Sequence, residues 1–257
     1  MSTIAVTGSA GGMGKAIRRR LESADHRVIG IDLRDAEVVA DLSNEAGRAE
    51  MVTEVDRLCE GHLDGVVAAA GIQKGEARTI VSTNYFGAIA TLCGLRPLLT
   101  RGTAPSAVAV SSNSATTQPG YPMPVVELCL ADDEKSAKDA IGSDALGAYA
   151  ASKLALARWV RRRAPSPEWI GAGVRLNAIA PGFIETPMTE GMWDFISSIK
   201  EMYPIPIARP GKADEIAGLV DYLLSVDASL LCGSVITIDG GTEAALRPDD
   251  WPSPISS

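Results

Sequence analysis

Thr3-Ile-Ala-Val-Thr7-Gly8-Ser-Ala-Gly-Gly12-Met13-Gly14 is the stretch that decides the fold. An apolar run of strand length meets a glycine cluster at once, and helical spacing (Ile17, Leu21) follows. Strand, glycine turn and helix is the geometry in which backbone N–H groups and a helix N-terminus receive a pyrophosphate. Glycine permits the tight turn and the close approach of backbone to phosphate. A mononucleotide phosphate loop does not fit, because Gly14-Lys15-Ala16 lacks the Ser/Thr that must follow the lysine.

The second apolar run, Arg27-Val-Ile-Gly-Ile-Asp32, ends in an acid 18 residues after Gly14. A carboxylate there can accept hydrogen bonds from both hydroxyls of an adenosine ribose. It also repels a 2′-phosphate, which favours NAD over NADP, while nearby Arg34 softens that preference. Further strands are expected at Glu37–Asp41, Leu63–Gly71, Ala107–Ser112, Val174–Gly182 and Ser234–Asp239. Helices are expected from Ser43 (as N-cap) to about Cys59, from about Val81 to Leu99, through Tyr149 to Arg163, and from Ala213 to Val226. This alternation predicts an α/β chain, a single-domain Rossmann-type doubly wound parallel sheet of about seven strands with helices on both faces. Within the one domain, 113–146 is an extended segment before the Tyr149 helix, 183–212 a substrate lid, and 247–257 a tail rich in proline and serine.

At 257 residues and 46% hydrophobic, the chain is long enough to bury a sizeable core. A net charge of −8 argues against nucleic acid and anionic membrane surfaces as partners. No apolar run approaches the length of a membrane span, and the chain starts directly on a strand without a secretory pattern. Four scattered cysteines (Cys59, Cys93, Cys129, Cys232) without a C-x-x-C pair fit a reducing cytoplasm. With only His26 and His62, a metal centre or a Ser-His-Asp triad has little raw material.

Tyr149-Ala-Ala-Ser-Lys153 places a phenol and an ammonium on one face of a helix. A lysine there can lower the tyrosine from roughly 10 towards neutrality, which needs on the order of 4 kcal/mol of preferential stabilisation of the phenolate. A dry site with a second positive charge suits that demand.

Taken together these residues resemble the short-chain dehydrogenase/reductase family over essentially the whole chain. The glycine loop fits its T-G-x-x-x-G-x-G pattern through Thr7, Gly8, Gly12 and Gly14, and Asn84 in Asn84-Tyr-Phe-Gly87 matches its helix asparagine. Ser112 closes the fifth strand as the catalytic serine of that family does, with Tyr149 and Lys153 completing the tetrad. More narrowly, Ile29–Ser43, Asn84–Ala88 and Ile238-Asp-Gly-Gly with Arg247-Pro248 resemble its bacterial 3α-hydroxysteroid dehydrogenase/carbonyl reductase branch. The resemblance implies an NAD cofactor held by Gly8, Gly12, Met13, Gly14, Asp32, Leu33, Asp41, Leu42, Ala70, Gly71, Tyr149, Lys153, Pro181, Gly182, Ile184 and Thr186. It implies hydride transfer between a secondary alcohol and NAD, with Tyr149 as acid/base and Ser112 as the hydrogen-bond donor to the substrate oxygen. Lys153 then lowers the Tyr149 pKa and holds the ribose, and Asn84 positions a water that relays protons.

Two departures stand out: Ala69-Ala70-Gly71 replaces the asparagines many relatives carry, and Tyr149 follows Ser112 by 37 residues, more than is usual. The extra segment either closes an apolar substrate wall through Tyr121, Met123 and Val125 or obstructs subunit pairing on the Tyr149 helix, leaving a homodimer rather than a homotetramer. Met188, Met192, Trp193, Phe195, Met202 and Tyr203 in the lid favour a hydrophobic small-molecule substrate, although the helical spacing from Met192 to Tyr203 equally fits packing on the core. The alternatives are a dehydrogenase of the same family acting on small alcohols, terpenoids or sugar derivatives, and a non-catalytic NADH sensor.

Overall fold

The computed structural model describes residues 1–250; residues 251–257, the greater part of the proline- and serine-rich tail, lie outside the described residues. Seven parallel strands form the main sheet: β1 (Thr3–Thr7), β2 (Arg27–Asp32), β3 (Val38–Val39), β4 (Gly65–Ala68), β5 (Ser106–Val110), β6 (Arg175–Pro181) and, after the lid, Val235–Ile238. The lid is closed at its base by a small parallel pair, β7 (Ile184–Glu185) with β8 (Gly211–Lys212), so the last main strand is β9. The spatial order is β3-β2-β1-β4-β5-β6-β9. It reverses between β1 and β4, and in a doubly wound sheet that switch point is where a ligand crevice opens at the carboxyl ends of the strands.

The helices in chain order are α1 (Gly12–Ser23), α2 (Glu45–Leu58), α3 (Ala77–Val81), α4 (Ala88–Leu99), α5 (Ser114–Thr117) and α6 (Met123–Leu130). Then follow α7 (Glu134–Ile141), α8 (Ala145–Arg163), α9 (Trp193–Ser198), α10 (Ala213–Leu224) and α11 (Thr242–Leu246). Two apolar cores result, one on each face of the sheet, as expected when strands are buried on both sides. β1, β4, β5 and β6 are buried at every position, and their Val/Ile/Ala-rich sequences carry no alternation because neither face meets water.

Three expectations are corrected in detail. The N-cap of α2 is Asn44, whose side chain accepts from Gly47 N–H, and not Ser43; Ser43 N–H is instead held by the Asp41 carboxylate. The helix expected from Val81 to Leu99 starts at Ala77 and is interrupted by a π-helical turn, Ser82–Gly87, that carries Asn84. Such single turns recur at functional sites. The helical lid stretch from Met192 to Tyr203 shortens to Trp193–Ser198, none of whose residues is buried.

The extra segment folds as α5, α6 and α7. Val125, Val126 and Cys129 enter the main core and α6 lies on α8, so Val125 is a core residue and not part of an open substrate wall. Arg48 anchors the segment: its guanidinium donates to both Glu134 carboxylate oxygens (2.6 and 2.9 Å) and to the carbonyls of Leu42 and Ser82. Burial works to raise Glu134, and the Arg48 hydrogen bonds overcome it, so that carboxyl lies below its ordinary range.

Candidate active site

A cleft of about 710 Å3 runs over the carboxyl ends of β1, β2, β4 and β5, within the range of cofactor sites. Its floor is the glycine loop. Gly8 N–H donates to Ile31 carbonyl at 2.8 Å, and Gly8 takes φ +71°, open to glycine at little strain. A Cβ on Gly14 would stand 2.1 Å from the Gly8 carbonyl oxygen, so this glycine is what lets α1 start directly beneath the loop. No side chain caps α1 and its first turn holds no acid, which leaves its N–H groups free for an anion. The cradle fits a dinucleotide pyrophosphate.

At one end of the cleft Asp32 closes β2. Its carboxylate accepts from Ala10 N–H (2.9 Å) and Leu33 N–H (2.7 Å), so it buttresses the glycine loop as well as facing the cleft. Leu33, Arg34, Asp41 and Leu42 line the same end, with the Asp41 carboxyl held below its ordinary range first by its hydrogen bond with Ser43. Thr7 governs the turn after β4: its hydroxyl oxygen accepts from both Ala69 and Ala70 N–H at 3.0 Å. That turn lays Ala70 and Gly71 along the cleft wall with no asparagine needed.

Lys153 is 4% exposed at the other end, donating from Nζ to the Val110 carbonyl at 2.8 Å. Burial lowers it to about 8. One turn earlier on α8, Tyr149 shares its face, with the Lys153 Nζ 5.9 Å from the ring centroid. The Ser111 hydroxyl donates to the Lys153 carbonyl at 2.8 Å and clamps α8 to the end of β5. Ser111 lines the cleft and was not anticipated, although the Ser111-Ser112 doublet at a strand end is the signal that marks it.

The expected lowering of the Tyr149 pKa is not what the ligand-free geometry gives. Burial raises the phenol, and the opposing influence comes from the neighbouring Ser112 hydroxyl and not from Lys153. The physical reason is that the ammonium is itself desolvated and turned to a backbone carbonyl. Asn84 is likewise committed: its Oδ1 accepts from Ile72 N–H (2.8 Å) and its Nδ2 donates to the Ile72 carbonyl (2.9 Å). Its side chain therefore holds the strand-exit backbone beside Lys153, with one N–H and one carbonyl lone pair of the amide committed to Ile72 and the second of each left over. A Cβ on Gly71 would meet both Asn84 Oδ1 and Lys153 Nζ at 3.2 Å, which is how closely these groups gather.

Of the other expected cofactor residues, Gly12, Met13 and Thr186 line the cleft, and a Cβ on Gly12 would come 3.7 Å from Thr186. Pro181, Gly182 and Ile184 do not line it: Pro181 and Ile184 are buried, and Gly182 lies against Asp239.

The residues after Met1 match the family model for short chain dehydrogenases from 2 to 125, and a second model, described as enoyl-(acyl carrier protein) reductase, matches 135–243. The 3-alpha-hydroxysteroid dehydrogenase/carbonyl reductase of Comamonas testosteroni is 40% identical over 261 residues, covering 98% of this chain and 100% of that protein. The chain belongs to the short-chain dehydrogenase/reductase family. This short-chain dehydrogenase/reductase also superposes on the crystal structure of the 3-alpha-hydroxysteroid dehydrogenase from Pseudomonas sp. B-0831 complexed with NADH, at a TM-score of 0.89 and 41% identity over 96% of this chain and 99% of that one. The cis-4-hydroxycyclohexanecarboxylate dehydrogenase of Sinomonas cyclohexanicum is 27% identical over 264 residues, 93% of this chain and 95% of that protein. The oxidoreductase family is thus established by full-length similarity as well as by the residues gathered in the cleft.

Proposed function

We propose that this chain is an NAD(H)-dependent oxidoreductase that interconverts a secondary alcohol and a ketone on a hydrophobic substrate, of the 3α-hydroxysteroid or carbonyl-compound class. The observation that carries it is the convergence of Tyr149 and Lys153 at one end of a dinucleotide-sized cleft whose other end presents Asp32, with the buried Ser112 beside Tyr149 just behind the cleft wall. The names of the Comamonas and Pseudomonas relatives support the substrate class, and the NADH in the Pseudomonas structure supports the cofactor. Bound NAD would be held by the glycine loop, Asp32 and Lys153, and it supplies the hydride acceptor.

Everything else falls to side chains. Ser112 donates a hydrogen bond to the substrate oxygen and aligns it against Tyr149. Tyr149, kept protonated by burial, gives its proton to the ketone oxygen during reduction and takes it back during oxidation. Oxidation requires the phenolate, so it requires positive charge nearby. The Lys153 ammonium supplies part of that charge. Asn84 fixes the Gly71–Ile72 backbone beside Lys153 and so keeps open the route by which the lysine exchanges protons with solvent.

The lid supports an apolar substrate over a small polar one. Phe195 is 60% and Met202 77% exposed, so these side chains are not spent on the core. On the quaternary side, α6 lies on α8, while β9 is the last strand of the sheet. Pairing of two chains through β9 and α10 follows, and a reducing cytoplasm suits the four free thiols. Tyr149→Phe tests the mechanism: turnover should fall by about 10²–10⁴ with NADH binding intact. Retention of most of the turnover would refute the role given to Tyr149.

A further inference from the structure

Asn113, the residue after Ser112, is 3% exposed and has no part in the chemistry above, yet it touches three separate pieces of the chain. Its backbone N–H donates to the Pro181 carbonyl at 2.8 Å, which fixes the turn that leads into the lid. Its Nδ2 donates to the Tyr203 hydroxyl at 2.8 Å and to the Asp239 carboxylate at 3.1 Å. Its Oδ1 accepts from the Tyr203 hydroxyl at 3.1 Å. Asp239, at the exit of β9, is itself fixed by accepting from Gly241 and Glu243 N–H, and Gly182 packs against it so closely that a Cβ there would stand 2.5 Å from the Asp239 Cβ.

We propose that Asn113 is a positioning residue of the reaction and Tyr203 the lid residue it holds, the pair latching the far end of the lid to the strand end that carries Ser112. The inference rests on the oxidoreductase reading for its kinetic consequence, but not for its structural one. The lid from Thr186 to Met202 has few other anchors. None of α9 is buried, and the lid's base is a pair of two-residue strands. Burial keeps the Tyr203 phenol above its ordinary range, so it stays protonated and both donates and accepts in the reciprocal pair. Asn113 is covalently joined to Ser112. Opening the lid to admit a substrate therefore breaks the Tyr203 hydrogen bonds to the residue next to Ser112, leaving those to Pro181 and Asp239, and closing it restores them. Substrate capture and alignment of Ser112 become one event.

Tyr203→Phe keeps the ring and removes only the hydroxyl. Amide hydrogen exchange and steady-state kinetics on the full-length chain are read together. Exchange in residues 186–203 should quicken about tenfold, the size expected for a lost buried hydrogen bond, with α1 and α10 unchanged. The KM for the alcohol should rise several-fold while the NADH dissociation constant stays within twofold. Asn113→Ala should do the same, and the double variant should be no worse than Asn113→Ala alone, because the two act as a unit. Unchanged lid exchange, additive losses, or equal weakening of NADH and alcohol would overturn the latch. If lid exchange responds as stated but wild-type protein turns over no alcohol, the latch stands and the oxidoreductase reading falls.

Discussion

Lys153→Met should make the ligand-free protein more stable while abolishing its turnover. The lysine falls from its ordinary 10.5 to about 8 because the ammonium is buried. That difference corresponds to about 3 kcal/mol of destabilisation carried by the charged form at neutral pH. Methionine has a comparable length and no charge to desolvate. Against the relief stands the Val110 carbonyl, which loses its 2.8 Å donor and so costs about 1–2 kcal/mol. The balance favours the variant by about 1–2 kcal/mol, and for a chain of this size each kcal/mol moves the midpoint by about 2–4 °C. The pH dependence carries the sign. The folded value lies below the unfolded one, so the wild-type penalty is fully present below pH 8, fades between pH 8 and 10.5 and is gone above. Thermal melts of both proteins across that window are the assay. The variant should melt a few degrees higher at pH 7, and the two curves should converge as pH rises. A variant that melts lower at pH 7, or a gap that ignores pH, would refute the claim that Lys153 is held charged at the expense of the fold.

Two other outcomes follow from the same geometry. Asp32→Ala removes both the ribose acceptor and the buttress that holds Ala10 and Leu33 N–H, so NADH affinity should drop by about tenfold or more and preference over NADPH should narrow; fluorescence titrations showing unchanged affinity for both would remove Asp32 from the site. Light scattering should report the mass of two chains, since α6 lies on α8 and β9, the last strand of the sheet, is left for pairing; a tetramer with the α5–α7 segment intact would contradict that.

The sequence exposes the elements that depend on local chemistry. The glycine loop, the acid closing β2 and the Tyr149–Lys153 pair each need particular residue types at fixed spacing, and each sits where that spacing predicts. What it conceals depends on hydrogen-bond register or on burial. The π turn at Ser82–Gly87 differs from an α-helix only in which carbonyl each N–H meets, and nothing in Ser82-Thr-Asn-Tyr-Phe-Gly87 marks the change. The Asn84 amide finds its partners on Ile72, a contact between segments that spacing does not reveal. For Tyr149 the i, i+4 geometry gives the proximity of Lys153 but not the burial of either group, which works against the expected lowering. Pro181 and Ile184 are buried and Gly182 lies against Asp239, placements that only the packed structure reveals. The lid helix is shorter than its apolar spacing implies because its apolar face meets no core that would hold the outer turns.

The central claim is hydride transfer between NAD and a hydrophobic secondary alcohol at Tyr149. The direct measurement is NADH absorbance with purified protein, NAD and a panel of 3α-hydroxysteroids, terpenols and simple secondary alcohols, repeated with NADP. The account predicts NADH formation with the 3α-hydroxysteroids, faster than with the small alcohols and much slower with NADP in place of NAD. Silence across the panel, in protein that fluorescence shows to bind NADH, would contradict it.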